Sequence, residues 1–158
     1  MTAKVKPVPD GYHSVTPYLS IRGAADAIAF YKKAFGAEEI YRMDMPGGKV
    51  GHAELQIGDS RIMLADEFPD KPEAVAKSPQ SLGGTTAGLN LYLEDVDARF
   101  KQAVDAGAKI KRPVEDQFYG DRSGTVEDPF GHVWTLSTHV EDVSPEEMKK
   151  RMAAMSHG

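Results

Sequence analysis

Alternation of apolar and polar residues, followed by apolar residues at helical spacing, occurs twice along this chain. In 15–21, Leu19 and Ile21 alternate with Tyr18 and Ser20, which predicts a strand. Pro17 has no N–H for a ladder, so that strand lies at an edge or starts irregularly. A helix is predicted over 24–35, its stripe being Ala24, Ala27, Ile28, Tyr31 and Phe35, with Gly36 as the stop. Strands follow at 38–45, 49–57 and 61–65, joined by turns at 46–48 and 58–60. The segment 66–86 holds three prolines and two glycines without steady periodicity, and reads as a linker or flexible loop.

After this segment the pattern restarts. Leu89, Leu91 and Leu93 alternate with Asn90 and Tyr92. Asp95 is placed to cap a helix bearing Val96, Phe100, Ala103 and Val104, which Gly107 ends. A short strand at 108–111, a loop, a strand near 120–126, a turn at 128–131 and a strand at 132–138 complete the set. Ser144, Pro145 and Glu146-Glu147 open a last short helix. Gly36 matches Gly107 at an offset of 71, and Leu19 matches Leu91, and Leu64 matches Leu136, at 72. Three matches in order, in one supersecondary setting, indicate a duplicated βαβββ unit. The expected organisation is one α+β domain: an arm over 1–14, modules over 15–66 and 87–139, a linker over 67–86, and a helix and tail over 140–158.

Composition narrows the function. The chain has 158 residues and a net charge of −5, so no basic field draws in nucleic acid or anionic lipid. It has no cysteine, which excludes disulfides, thiolate metal sites and thiol nucleophiles. The N-terminal residues lack the apolar core of a signal peptide, and no stretch reaches membrane-spanning length. A cytoplasmic protein without membrane or nucleic-acid partners is expected.

Two motifs resemble a known family. Phe30-Tyr-Lys-Lys-Ala-Phe-Gly-Ala37 resembles the first-helix end of glyoxalase/bleomycin-resistance proteins, and Val126-Glu-Asp-Pro-Phe-Gly-His-Val-Trp134 resembles their turn before the last strand. The resemblance, to the vicinal oxygen chelate superfamily, covers about 14–139. It implies two βαβββ modules whose curved sheets form a cleft, and a homodimer. Metal-using members place four His, Glu or Gln ligands on the first and last strands of each module. Those positions carry Thr16, Met63, Gly88 and Thr135 here. None is a serviceable ligand for a divalent cation, and their sequence neighbours do not rescue the set. No metal and no other cofactor is therefore expected. The histidines are His13, His52, His132, His139 and His157, with no helical i, i+4 pair. His132 reads as a turn residue with a hydrogen bond, and His139 and His157 as solvated tail positions.

Taking the ligand positions as the cleft face leaves the apolar sets facing the helices. The cleft face then carries Thr16, Tyr18, Ser20, His52, Glu54, Gln56, Arg61, Met63, Asn90, Tyr92 and Thr135, the mixture of a pocket or of an ordinary polar sheet face or dimer contact. His52 and Glu54 lie two apart on one strand, about 6–7 Å apart at the backbone. They are candidates for a general base, or for a structural or ligand-orienting hydrogen-bonded pair. In 117–124, Arg122 is a candidate for an anionic group, with Phe118 or Tyr119 as a stacking lid and Asp121 as a possible neutraliser. Three functions fit: metal-free small-molecule binding, by sequestration of a drug or metabolite; a superfamily lyase, isomerase or dioxygenase with a non-standard site; or a structural or regulatory homodimer with a vestigial cleft. The missing ligands weigh against glyoxalase or dioxygenase activity, and whether the chain is an enzyme stays open.

Overall fold

The computed structural model describes residues 4–74 and 76–156, which form two compact units, 1–84 and 85–158. His157, expected as a tail position, lies outside the described residues.

In the first unit, β1 (Tyr18–Ile21), α1 (Ala24–Phe35), β2 (Glu38–Asp44), β3 (Val50–Ile57) and β4 (Ser60–Asp66) make a sheet of order β1-β4-β3-β2. β1 runs parallel to β4, and the other pairs are antiparallel. Leu19, Ile21, Ala53, Leu55, Ile57, Ile62 and Leu64 are buried, as are Ala24, Ala27, Ile28, Tyr31 and Phe35 of α1. The two apolar periods thus close on one another. α1 begins at Gly23, which offers no side-chain cap. Buried Asp66 replaces the cap: Oδ1 accepts the N–H groups of Gly23 and Ala24 at 3.0 Å each, and Oδ2 accepts that of Val50 at 2.7 Å.

The second unit repeats the plan with β5 (Gly88–Tyr92), α3 (Val96–Ala106), β6 (Lys109–Asp116), β7 (Asp121–Glu127) and β8 (Val133–His139), in the order β5-β8-β7-β6. The architecture is α+β, two βαβββ modules, as the repeat indicated. Asp95 caps α3 through the Ala98 N–H at 3.1 Å. Thr138, at the position equivalent to Asp66, accepts the Val96 N–H at 3.0 Å. Asp128 organises the turn before β8, accepting N–H bonds from Phe130 and His132 and the Trp134 indole N–H at 3.0 Å.

Several expectations change. Residues 15–17 precede β1, although Pro17 O accepts the Met63 N–H at 2.9 Å. The segment expected as linker contains the short helix α2 (Pro79–Leu82), capped by buried Ser78. β6 runs to Asp116 through Pro113, where a loop was expected. As an edge strand with register shifts on either side of Arg112, it tolerates a residue without an N–H. Leu89, Leu91 and Leu93 are half-buried. β5 is an edge strand, and the chain after β8 turns to Gly120 instead of returning along it. The last helix, α4 (Pro145–Met155), has no buried residue and is tied down by Arg151, which donates to Phe118 O at 2.9 Å and pairs with Glu141.

Candidate functional site

Register places a polar and aromatic row across the first sheet, on the face away from the apolar set. Tyr18 stands beside Met63, Met63 beside Glu54, and Glu54 beside Tyr41. In the next row Met43 stands beside His52. His52 joins the rows: its Nδ1 lies 2.9 Å from the Tyr18 hydroxyl and its Nε2 lies 3.3 Å from Glu54 Oε1. A carboxylate only accepts, so Nε2 carries the proton; in neutral His52, Nδ1 then accepts from the Tyr18 O–H. Burial, and next the charge of Glu54, push the Tyr18 phenol up, which keeps it a donor. The Tyr18 and Tyr41 rings flank the imidazole at centroid distances of 5.6 and 6.3 Å. Gln56 accepts the Arg61 Nε–H at 2.5 Å and donates to Gly58 O at 2.9 Å. Thr16 is half-buried just ahead of the ladder.

Asn90, Tyr92 and Thr135 share the corresponding face of the second unit. Asn90 pairs in register with Thr135, and Thr135 with Thr125. Thr125 and Thr135 hydroxyls meet at 3.0 Å, and Ser137 donates to Asn90 Oδ1 at 3.1 Å. Arg112 reaches Ser123 O and Oγ at 3.0 Å each. Buried Asp121 receives the Tyr92 hydroxyl at 2.7 Å and His139 Nδ1 at 2.8 Å, while His139 Nε2 meets Asp142 at 2.7 Å. Asp121 and then Asp142 hold the His139 imidazole above its ordinary pKa. His139 is thus solvent-exposed, as expected, but held at the end of β8 and not in a loose tail.

Arg122 departs furthest from expectation. It grips Asp97 with Nε at 2.7 Å and Nη2 at 2.8 Å, and Asp116 with Nη1 at 3.2 Å. Its register partner is Thr138, which caps α3, so Arg122 lies on the helix side of the sheet with its charge already matched. Asp121, adjacent in sequence, points to the other face. Phe118 and Tyr119 pack edge-on at 5.3 Å in the turn before β7. Sequence alternation alone separates Arg122 from Asp121. The placement of Arg112 and Tyr41 needed register.

The family model described as the Glyoxalase/Bleomycin resistance protein/Dioxygenase superfamily matches residues 13–136. The chain belongs to that superfamily. A superfamily relative, the uncharacterised Mb0911c of Mycobacterium bovis, is 42% identical over 145 residues, covering 92% of this chain and 95% of its own. TioX from Micromonospora superposes with a TM-score of 0.64 at 26% identity, over 81% of this chain and 99% of TioX. The fosfomycin resistance protein FosX of Listeria monocytogenes, solved with Mn(II) and sulfate, shares the fold: TM-score 0.61, 21% identity, 89% of this chain and 97% of FosX.

Thr16, Met63, Gly88 and Thr135 are the positions where the sequence resemblance expects the His, Glu or Gln donors of metal-using members. The Thr135 hydroxyl is engaged by Thr125, Met63 offers a thioether, and Gly88 offers no side chain. Among the described residues no three His, Asp or Glu side chains come together as a metal-binding group. These residues do not fit the superfamily's divalent centre. Among the described residues, too, no helix is long and apolar enough to cross a membrane.

Proposed function

We propose that the chain binds a small molecule on the polar, aromatic face of its first unit, without a superfamily-type metal, and acts by holding that molecule. The hydrogen-bonded chain Tyr18–His52–Glu54 carries this reading. Three polar side chains on two strands are pre-aligned on one face, between aromatic rings and a methionine, and they remain partly open to solvent. Such a face offers oriented donors and acceptors with apolar contact area, which a merely solvated sheet face does not need.

A thermal-shift screen of drug-like and metabolite-like compounds, followed by calorimetric titration, tests it. Compounds that stabilise the protein are expected to lose affinity about tenfold or more in His52→Gln, since a charge-linked hydrogen bond contributes about 1.5–3 kcal/mol. Hits insensitive to both His52→Gln and Tyr18→Phe would place binding elsewhere. Purified protein is expected to carry well under one equivalent of Mn, Fe, Ni or Zn by elemental analysis, and to keep its ligand affinity after chelation.

The same chain of bonds favours a second reading, acid–base chemistry. A proton arriving at Tyr18 Oη as the phenol proton passes to His52 Nδ1 leaves Nε2–H free to shift toward Glu54. Turnover abolished in Tyr18→Phe, with ligand affinity retained, would favour catalysis over holding. We also infer a cytoplasmic homodimer. Ile40, Tyr41, Met43 and Met45 support the dimer, being exposed on and beside the edge strand β2.

A further inference from the structure

The polar face of the first unit is acidic at its centre and aromatic on both sides. Register sets Tyr41, Glu54, Met63 and Tyr18 in one row across the four strands. The His52 ring, from the row beside it, lies between the two tyrosine rings. Glu54 keeps 22% of its side chain exposed and His52 keeps 25%, so both are reachable from solvent. Tyr18 and Tyr41 are more open still, at 46% and 51%. The partners of Glu54 are hydrogen-bond donors, not fixed cations. His52 Nε2–H reaches Oε1 at 3.3 Å, and the Tyr12 hydroxyl approaches from the arm. Register brings one guanidinium to this face, that of Arg61, and a second carboxylate, Glu38, across Gln56 from it. Arg61 gives its Nε–H to Gln56 and stacks on the Tyr12 ring. Among the described residues no lysine or arginine forms an ion pair with Glu54. After burial, Glu54 is the next cause holding the Tyr12 and Tyr18 phenols up, so its charge is felt on either side of it.

We propose that this face selects an organic ammonium ion, tertiary or quaternary, with Glu54 as its counter-ion and the rings of Tyr18, His52 and Tyr41 as its walls. This rests on the reading of the first unit's polar face as the ligand site. Aromatic faces attract such ions through the ring quadrupole. The alkyl groups of the ion find apolar contact on those rings and on the Met63 and Met43 thioethers. A partly desolvated carboxylate gains most from an opposite charge. A carboxylate ligand would meet Glu54 as a like charge, and a neutral one would leave that charge unmatched. The net charge of −5 favours the same sign of ligand at long range. Tyr41 also lies on the edge strand offered to the proposed dimer, so Glu54 and Tyr18, on other strands, are the residues to vary.

Protein NMR titration of the full chain with benzyltrimethylammonium, benzyl alcohol and benzoate at neutral pH tests the selection. The three probes share a ring and differ in charge. The ammonium ion is expected to shift the Tyr18, His52 and Glu54 signals saturably and to bind about tenfold tighter than the alcohol, with benzoate weakest. Glu54→Gln keeps the size and removes the charge; it is expected to cut the preference for ammonium over alcohol about tenfold. Tyr18→Phe keeps a ring and is expected to keep the preference, whereas Tyr18→Leu is expected to cut it about two- to fivefold. The preference is a ratio of affinities, so a variant that merely loosens the fold leaves it unmoved. Equal binding of ammonium and alcohol by the native protein overturns the proposal, as does an undiminished preference in Glu54→Gln or tighter binding of benzoate. If the three probes leave the face unperturbed while hits of the thermal-shift screen perturb His52 and Tyr18, the ammonium inference fails and the ligand face stands. If no compound perturbs the face, both fail.

Discussion

Asp66 holds more of the first unit together than any single core contact shows. One buried carboxylate accepts three backbone N–H groups, two from the start of α1 and one from the start of β3. Asp66→Ala leaves them without an acceptor, and unfolding in urea is expected to show a loss of roughly 2–4 kcal/mol. The equivalent Thr138→Val removes one acceptor, for Val96 N–H, and one donor, to Leu93 O, at an expected cost of about 1–3 kcal/mol. His139 gives a pH dependence of definite sign. Its folded pKa is raised by Asp121 and Asp142, whereas the unfolded value is about 6.5. The stabilisation it contributes is therefore complete below about pH 6.5 and is lost as pH rises through the folded pKa. Urea midpoints measured across that range should fall in the native protein and fall less in His139→Gln. Residue identity alone revealed the His52–Glu54 pair, because a spacing of two on a strand fixes a shared face. It missed the partners of His139 and Arg122, because Asp121 and Asp97 lie 18 and 25 residues away: the register of β7 and β8 brings Asp121 to His139, and the seating of α3 beside β7 brings Asp97 to Arg122.

At the scale of elements, most of the fold was legible, since each strand and helix carries its own period and its own stop. The exceptions have physical causes. Pro113 argues against a strand unless that strand is an edge with an irregular ladder, as β6 is. The arm carries no period at all, so the stacking of its Tyr12 ring on the Arg61 guanidinium, 5.1 Å from the ring centroid, was invisible. The turn into β7 depends on Gly120, whose φ is 101 and whose missing Cβ would otherwise collide with Glu141 O. Gly120→Ala is expected to destabilise by at least about 1–3 kcal/mol from backbone strain alone, read as a lower melting temperature. α4 should behave oppositely. With no buried residue and its ties concentrated on Arg151, Arg151→Gln is expected to raise amide exchange across α4 while the urea midpoint moves little, by less than about 1 kcal/mol.

At the scale of the molecule, the duplicated plan accounts for both sheets, but the two faces have diverged in chemistry. One carries a tyrosine–histidine–glutamate chain, the other a buried aspartate shared by a tyrosine and a histidine. The proposed dimer predicts a sedimenting mass of about twice the 17.2 kDa chain, reduced to one chain mass by charged residues placed at Ile40 and Met43. The methionines of β2 and its turn carry one more consequence. The chain has seven methionines and no cysteine, so thioethers are its available sulfur for an oxidant. Met43 and Met45 are exposed, close over Gly51, and Met43 is the register neighbour of His52. In a free protomer, peroxide would make them polar sulfoxides before it reached the core, and a sulfoxide on this surface would favour the separated chain over the proposed dimer. Oxidative stress would then tune the proposed self-association without unfolding the chain, and a methionine sulfoxide reductase would restore it.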